Sequence, residues 1–373
     1  MKIGSPKESK DQEYRVGLTP KSVKSLTANG HEVCIETGAG DGIGATDADY
    51  IAAGAAIVAN IDAVFEQSEL IIKVKEPNRG ERHLLRPHHT LFTYLHLASD
   101  PDQANDLIAS KAICIAYETV TDANGRLPLL TPMSEIAGRL AVQEAAAHLC
   151  KHHGGMGVLL GGASGVEPAH VVIVGGGVVG SNACKIALGL GAKVSILDKS
   201  RQQLDKLQKK FGSEVNCVES TPESLAAYVE VADLLVGAVL VPGAKAVKLI
   251  TSAMVKKMKA GAVIADVAID QGGCCENSHP TTHTHPTFVV DGVIHYCVAN
   301  IPGAVARTAS LALNIATLPF IHALASKGIK AALESDAHLL AGLNICRGQL
   351  VREEVAHDLG LAYTPAATVL ATL

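Results

Sequence analysis

The segment from His170 to Asp198, HVVIVGGGVVGSNACKIALGLGAKVSILD, constrains the fold more than any other part of the chain. An apolar run, Val171 to Val174, enters Gly175-Gly176-Gly177-Val178-Val179-Gly180. A stretch of helical spacing follows, then a second apolar run that ends in Asp198. Strand, glycine turn, helix, strand and acid, in that order, build a site for a dinucleotide. Gly175 permits the tight turn, Gly177 lets the backbone approach a pyrophosphate, and Gly180 lets the helix pack on the strand. The helix N-terminus offers unpaired N–H groups to the anion. Asp198 accepts from ribose hydroxyls and repels a 2′-phosphate, which favours NAD over NADP. A glycine turn by itself is a weak signal; the flanking strands and the acid give this one its weight.

The 373 residues are enough for two or three domains, each with a core of its own. Apolar residues are 48% and charged residues 18%, the balance of a globular chain rather than a disordered one. A net charge of −5 with no basic stripe argues against nucleic acid as a partner. No uninterrupted apolar run reaches about 18 residues, so no membrane partner is expected. The N-terminus, MKIGSPKESKDQEYR, lacks the apolar core of a signal peptide. Nine cysteines without CxxC spacing read as reduced thiols, including the adjacent Cys274 and Cys275, and a cytoplasmic location is expected.

Strand and helix alternate through the N-terminal part. Lys2 to Gly4, Val33 to Glu36, Leu70 to Val74, Thr90 to Leu95 and Ala112 to Tyr117 read as strands. Thr19-Pro20 reads as an N-cap with proline at the first helical position, and Gly30 closes that helix. Ser134 to Cys150 reads as a long helix and 154–168 as a glycine-rich loop. The dinucleotide unit comes next, with further strands at Asp233 to Val236 and Ala262 to Asp266. Residues 303–326 and a last segment, about Ser335 to His357, read as helices. The expectation is an α/β protein of two doubly wound Rossmann-like domains with an active-site cleft between them. Residues 1–130 and 305–373 form a discontinuous substrate domain, and 131–304 the dinucleotide domain. Two chain crossings imply a hinged cleft.

Ligands of doubly wound sheets bind beyond the carboxyl ends of strands. Four polar residues stand there: Arg15 after the first strand, Lys75 after LIIKV, His96 after TLFTYL, and Asp270 four residues past AVIAD. A guanidinium holds a carboxylate in a two-point fork, and an ammonium pairs with it or polarises a carbonyl. A histidine moves protons near neutral pH, and a carboxylate orients water or steadies an iminium. The set suits hydride transfer from a small amino or hydroxy acid. Each also has a structural reading: a solvated loop charge for Arg15, a core histidine for His96, a turn cap for Asp270. Lys75 lies in KVKEP, where Lys73 and Glu76 are equally available as surface charges. His279, His283 and His285 in SHPTTHTHP match no zinc spacing and read as a polar loop, so no metal is expected.

Long ordered stretches then carry a family resemblance. They are GSPKESKDQEYRVGLTP, KVKEP with LFTYLHLA, LTPMSEIAGRLAVQEAA, the glycine segment, AVLVPGAKA, MKAGAVIADVAIDQGGC and VANIPGAVARTAS. The chain resembles the L-alanine dehydrogenase family, within a wider group that includes the NAD-binding domain of proton-translocating transhydrogenase. The resemblance spans essentially the whole chain. It implies reversible, NAD-dependent deamination of L-alanine to pyruvate and ammonium. It implies substrate binding by Arg15 and Lys75 and catalysis by His96 and Asp270. Cofactor contacts are implied at Ser134, Val178, Asp198, Ser220, Val239, Leu240, Val267, Ala268, Ile269, Asp270, Val298, Ala299, Asn300 and Ile301. A cytosolic homohexamer is implied as well. Two positions depart from the family pattern: Ser164 stands where proline is usual, and His279 where arginine is usual. The second puts one cofactor contact in doubt. Alternative readings are a saccharopine-type dehydrogenase, a transhydrogenase subunit, or a non-catalytic NAD-binding protein.

Overall fold

The computed structural model describes residues 1–239, 246–371 and 373; Leu240, one of the implied cofactor contacts, lies outside them. The chain divides into two compact units, Met1–Met133 with Val305–Leu373, and Ser134–Ala304. In chain order the strands are β1 (Lys2–Ser5), β2 (Glu32–Glu36), β3 (Ala56–Val58), β4 (Leu70–Ile72), β5 (Thr90–Thr93), β6 (Ile113–Ala116), β7 (His170–Val174) and β8 (Lys193–Asp198). They continue as β9 (Val215–Glu219), β10 (Leu234–Gly237), β11 (Val263–Asp266), β12 (Thr287–Val290), β13 (Val293–Tyr296), β14 (Leu343–Cys346) and β15 (Gln349–Leu350).

The first unit holds the sheet β15-β14-β6-β5-β4-β1-β2-β3, and the second holds β12-β13-β11-β10-β7-β8-β9. β1 to β6 are parallel, and β14 and β15 add antiparallel strands at one edge. The second sheet is parallel except for β12. In both units the first strand is central, the next two lie on one side of it, and the following ones lie on the other. Strand order therefore reverses beside β1 in one unit and beside β7 in the other, and such a switch point leaves a crevice at the carboxyl edge. Parallel sheets are covered on both faces. Accordingly every residue of β4, β5, β6, β10 and β11 is buried.

Local chemistry sets the element ends. Thr19 caps the helix Pro20–Ala28 by accepting from the Ser22 N–H, with Pro20 in the first turn where its missing N–H costs nothing. The helix Ala306–Lys327 begins where the chain returns to the first unit. By length and composition, Ile301–Lys327 is apolar enough to cross a membrane. Asn314 on it is nonetheless buried and bonded to Thr19 N–H, Ser22 Oγ and the Gly17 carbonyl, so the helix serves as a core helix of this unit.

The segment 335–357 departs from expectation. It is not one helix: a short helix Ala337–Leu340 is followed by the β14–β15 hairpin and then a helix Glu353–Leu359. Asp336 starts the short helix by accepting from His338 and Leu339 N–H. Arg347 (φ 53°) and Gly348 (φ 84°) then form a two-residue turn with both residues left-handed, the geometry that matches strand twist in a hairpin. β14 pairs with β6 and extends the first sheet.

Candidate active site

Because β1, β4, β5 and β6 are parallel neighbours, the residues that follow them share one edge of the first sheet. Arg15 comes from the loop after β1, Lys75 and Glu76 follow β4, Tyr94 and His96 follow β5, and Glu118 follows β6. The structure thus gathers three of the four residues singled out from sequence. Asp270 belongs to the second unit, at the carboxyl edge of that sheet.

Arg15 is only 3% exposed. Its Nε and Nη2 donate to the two oxygens of Glu13 at 2.7 and 2.6 Å, and Nη1 donates to Met133 Sδ at 3.3 Å. Burial alone would lower the guanidinium's pKa; Glu13 outweighs it and the net direction is up. Glu13 takes the Nε edge of the guanidinium and so fixes the plane in which it lies. The loop is fixed from the far end of the chain. Ser310 Oγ accepts the Val16 N–H at 3.1 Å, and Asn314 Oδ1 accepts the Thr19 N–H at 2.8 Å.

Lys73 and Glu76 are not the surface charges expected. Lys73 is fully buried between Glu8 at 3.1 Å and Glu81 at 3.4 Å. Desolvation pulls its pKa down, but the two carboxylates win and hold it charged. A buried ammonium needs such partners, since an unpaired one would neutralise. Lys75 is half-buried, and its carbonyl accepts from Thr93 Oγ1 at 3.0 Å. Glu76 pairs with Lys10, and its Oε2 is buried with no hydrogen-bond partner among the described residues. Burial raises the Glu76 pKa, yet Lys75, Lys10 and His96 together hold it below the ordinary value. An ionised carboxylate therefore sits in the field of both Lys75 and His96.

His96 has a left-handed backbone, φ 49° and ψ 40°, just beyond β5. Its ring lies parallel to that of Tyr94, with centroids 5.9 Å apart and planes 6° apart. Glu118 accepts the Leu95 N–H at 3.0 Å and the His96 N–H at 2.6 Å, while His96 Nδ1 is 3.9 Å from the same oxygen.

In the second unit Gly175 has φ +101°, and Gly177 opens the helix Val178–Gly189. A Cβ on Gly180 would lie 1.9 Å from the Gly175 carbonyl oxygen, so only glycine lets the helix sit this close. Among the described residues, a Cβ on Gly177 would meet nothing within 4 Å. The turn thus leaves its backbone open where a pyrophosphate needs it, and the residues fit a dinucleotide. Asp198 accepts the Gly176 N–H at 2.7 Å and the Ser200 N–H at 2.8 Å, so it also ties the turn to β8. Gln203, unnoticed in the sequence, donates to the Gly176 carbonyl at 2.6 Å.

The other implied contacts fall at element ends. Ser134 lies in the helix Thr131–His148, Ser220 follows β9 and Val239 follows β10. Val267, Ala268, Ile269 and Asp270 form a 3-10 turn after β11, with Asp270 exposed. The buried Asp266 closes that turn by accepting Cys274 and Cys275 N–H at 3.2 and 3.1 Å. Val298, Ala299, Asn300 and Ile301 follow β13, and His283 donates to the Asn300 carbonyl at 2.8 Å. His279 stacks on Phe288 at 3.8 Å.

Comparison with known proteins bears on this geometry. The model of the alanine dehydrogenase/PNT N-terminal domain matches residues 4–137, and that of the C-terminal domain matches 141–353. The alanine dehydrogenase of Halomonas elongata is 53% identical over 370 residues, covering 99% of this chain and all of that one. The alanine dehydrogenase of Mycobacterium tuberculosis is 49% identical, with both chains covered in full. The chain belongs to the alanine dehydrogenase family. A solved L-alanine dehydrogenase superposes with TM-score 0.93 at 50% identity, covering 96% of this chain and 99% of that one. The transhydrogenase of Sinorhizobium meliloti gives 0.81 at 25% identity, covering 94% and all of the respective chains. The fold is therefore the two-sheet α/β architecture of the alanine dehydrogenase family, and a nicotinamide nucleotide is the cofactor class the family implies.

Among the residues missed from sequence, Glu118, Ser310 and Asn314 act on a functional loop from afar, and Glu13 acts from within it. Only Glu13 lies close enough in the chain to its partner for a local signal, as the acid two residues before Arg15.

Proposed function

We propose that the protein is an NAD-dependent L-alanine dehydrogenase, which converts L-alanine, NAD and water reversibly to pyruvate, ammonium and NADH. The observation that carries this reading is the gathering of a guanidinium, an ammonium and an imidazole at one sheet edge, in a chain matched end to end by alanine dehydrogenases.

The roles follow from chemistry. The Arg15 guanidinium holds the substrate carboxylate, and Lys75 adds a second positive charge that fixes its orientation. A nicotinamide held by the second unit would supply the acceptor for the hydride that leaves Cα in the deaminating direction. Water then adds to the iminium. His96 takes a proton from that water and returns one to the departing ammonia. Asp270 steadies the cationic nitrogen. Ser134, the glycine turn, Ser220, Val239, Leu240 and the segments 267–270 and 298–301 hold the cofactor, and Asp198 reads its ribose. Small substrates suffice as partners. Leu311 and Ile315 on Ala306–Lys327 are 45% and 73% exposed, which supports burial against other copies in a homohexamer. Nine free thiols support a reducing, cytoplasmic location.

An NADH-formation assay with L-alanine, against serine, glycine and glutamate, tests the reading. Activity with L-alanine above all is expected. NAD binding with no turnover of any amino acid would instead indicate a binding protein, and preference for a bulky substrate a saccharopine-type enzyme.

A further inference from the structure

His96 stands in a conformation its own side chain does not favour, and the groups that keep it there come from elsewhere. β5 ends at Thr93, so the N–H groups of Leu95 and His96 have no strand partner. Two successive N–H groups beside a left-handed residue form a small concavity that suits an anion. The turn Tyr117–Thr119 after β6 places the Glu118 carboxylate in it. Its Oε1 accepts both N–H groups, at 3.0 and 2.6 Å, and Oε2 lies 3.3 Å from the Leu95 nitrogen. The carbonyls of the same bend are held too. Buried Gln103 donates to the Leu95 oxygen at 2.5 Å, and Ser99 Oγ to the His96 oxygen at 2.7 Å. The His96 ring nitrogen, 3.9 Å from Glu118, is beyond hydrogen-bond reach. The carboxylate is thus spent on the backbone rather than on the imidazole.

We propose that Glu118 is the positioning residue for His96, holding the backbone at 95–96 in the bend that sets where the imidazole stands. The proposal rests on the reading of His96 as the acid/base. It differs from a charge-pairing role, because an amide oxygen in the same place performs it equally well.

Steady-state kinetics of Glu118→Ala, Glu118→Gln and His96→Ala, with NADH binding followed by fluorescence titration, test it. For Glu118→Ala, kcat falls about a hundredfold, the effect of a displacement on the order of 1 Å, while the pyruvate KM and NADH affinity hold. Glu118→Gln, which keeps an acceptor for both N–H groups, retains most of the wild-type kcat. A wild-type kcat in Glu118→Ala overturns the proposal, as does a Glu118→Gln variant as slow as the alanine one. An equal loss of NADH binding also overturns it, since that marks a general defect of the fold. Should Glu118→Ala not fold, Glu118→Asp draws the carboxylate back by one methylene: lowered kcat at unchanged KM supports the proposal, and wild-type kcat overturns it. Near-normal turnover by His96→Ala defeats the reading of His96 itself. A slow His96→Ala beside a normal Glu118→Ala defeats only the role of Glu118.

Discussion

A left-handed backbone at a residue other than glycine costs about 1–2 kcal/mol, and such strain concentrates where function needs a side chain in one place. His96 carries it at the end of β5. With its acid/base role in the proposed reaction, His96→Ala is expected to lower kcat by about 10²–10⁴-fold while NADH titration stays unchanged. Near-normal turnover would remove His96 from the mechanism. Asp198 carries two duties, one read from sequence and one not. Its carboxylate holds the turn through Gly176 and Ser200, and in the proposed complex it reads the ribose. Asp198→Asn keeps an oxygen for the turn and removes the charge, so the ratio of kcat/KM for NAD over NADP should fall. An unchanged ratio, measured with both nucleotides, would count against the charge as the discriminator. At this scale the sequence marks residues whose type is unusual for their place, as with a histidine or arginine at a strand end. It says nothing of Glu118, whose role depends on β6 lying beside β5.

Elements built from neighbouring residues are the most legible. The β7 turn, its helix and β8 occupy one unbroken segment, and each glycine has a steric reason visible in the spacing. Gly180→Ala places a methyl carbon against the Gly175 carbonyl, where 1.9 Å separates them. The helix must move off the strand, at a cost of about 1–3 kcal/mol. Weaker NADH binding by calorimetry is expected together with a lower unfolding midpoint; wild-type affinity would show that the close approach is dispensable. The C-terminal hairpin is the contrasting case. In AHLLAGLNIC the apolar residues also fit helical spacing, and short apolar runs do not separate strand from helix by periodicity. What decides is the Arg347–Gly348 turn and the unpaired edge of β6, one a backbone conformation and the other a tertiary fact. The loop bearing Arg15 shows the same limit, since Ser310 and Asn314 reach it across nearly 300 residues of chain.

Across the whole molecule, two buried histidines tie stability to pH. His89 in the first unit and His295 in the second are each held near a pKa of about 4, chiefly by desolvation. Both are neutral in the folded protein, whereas an unfolded chain protonates them below the ordinary 6.5. Between about pH 6.5 and 4 the unfolded chain binds more protons, so stability is full above this window and falls as pH drops through it. Each contributes on the order of 3 kcal/mol across the window. Both ring nitrogens of His295 lack hydrogen-bond partners among the described residues, while His89 uses its two on the Phe65 carbonyl and Arg86 N–H. His295→Leu should therefore raise the urea midpoint at neutral pH and flatten its acid decline. An unaltered pH slope would assign that decline to other groups.

The shared strand order of the two sheets carries a consequence for how one backbone plan can be put to two uses. Beside β7, Gly175 passes against the Ala238 carbonyl; beside β1, Gly17 passes against that of Ile72. The same topological address is thus furnished twice, once with neutral amide dipoles and once with a permanently charged guanidinium. In the proposed reaction one backbone plan holds a nucleotide in one unit and a small acid in the other, where a loop of fixed charges stands in place of a glycine turn.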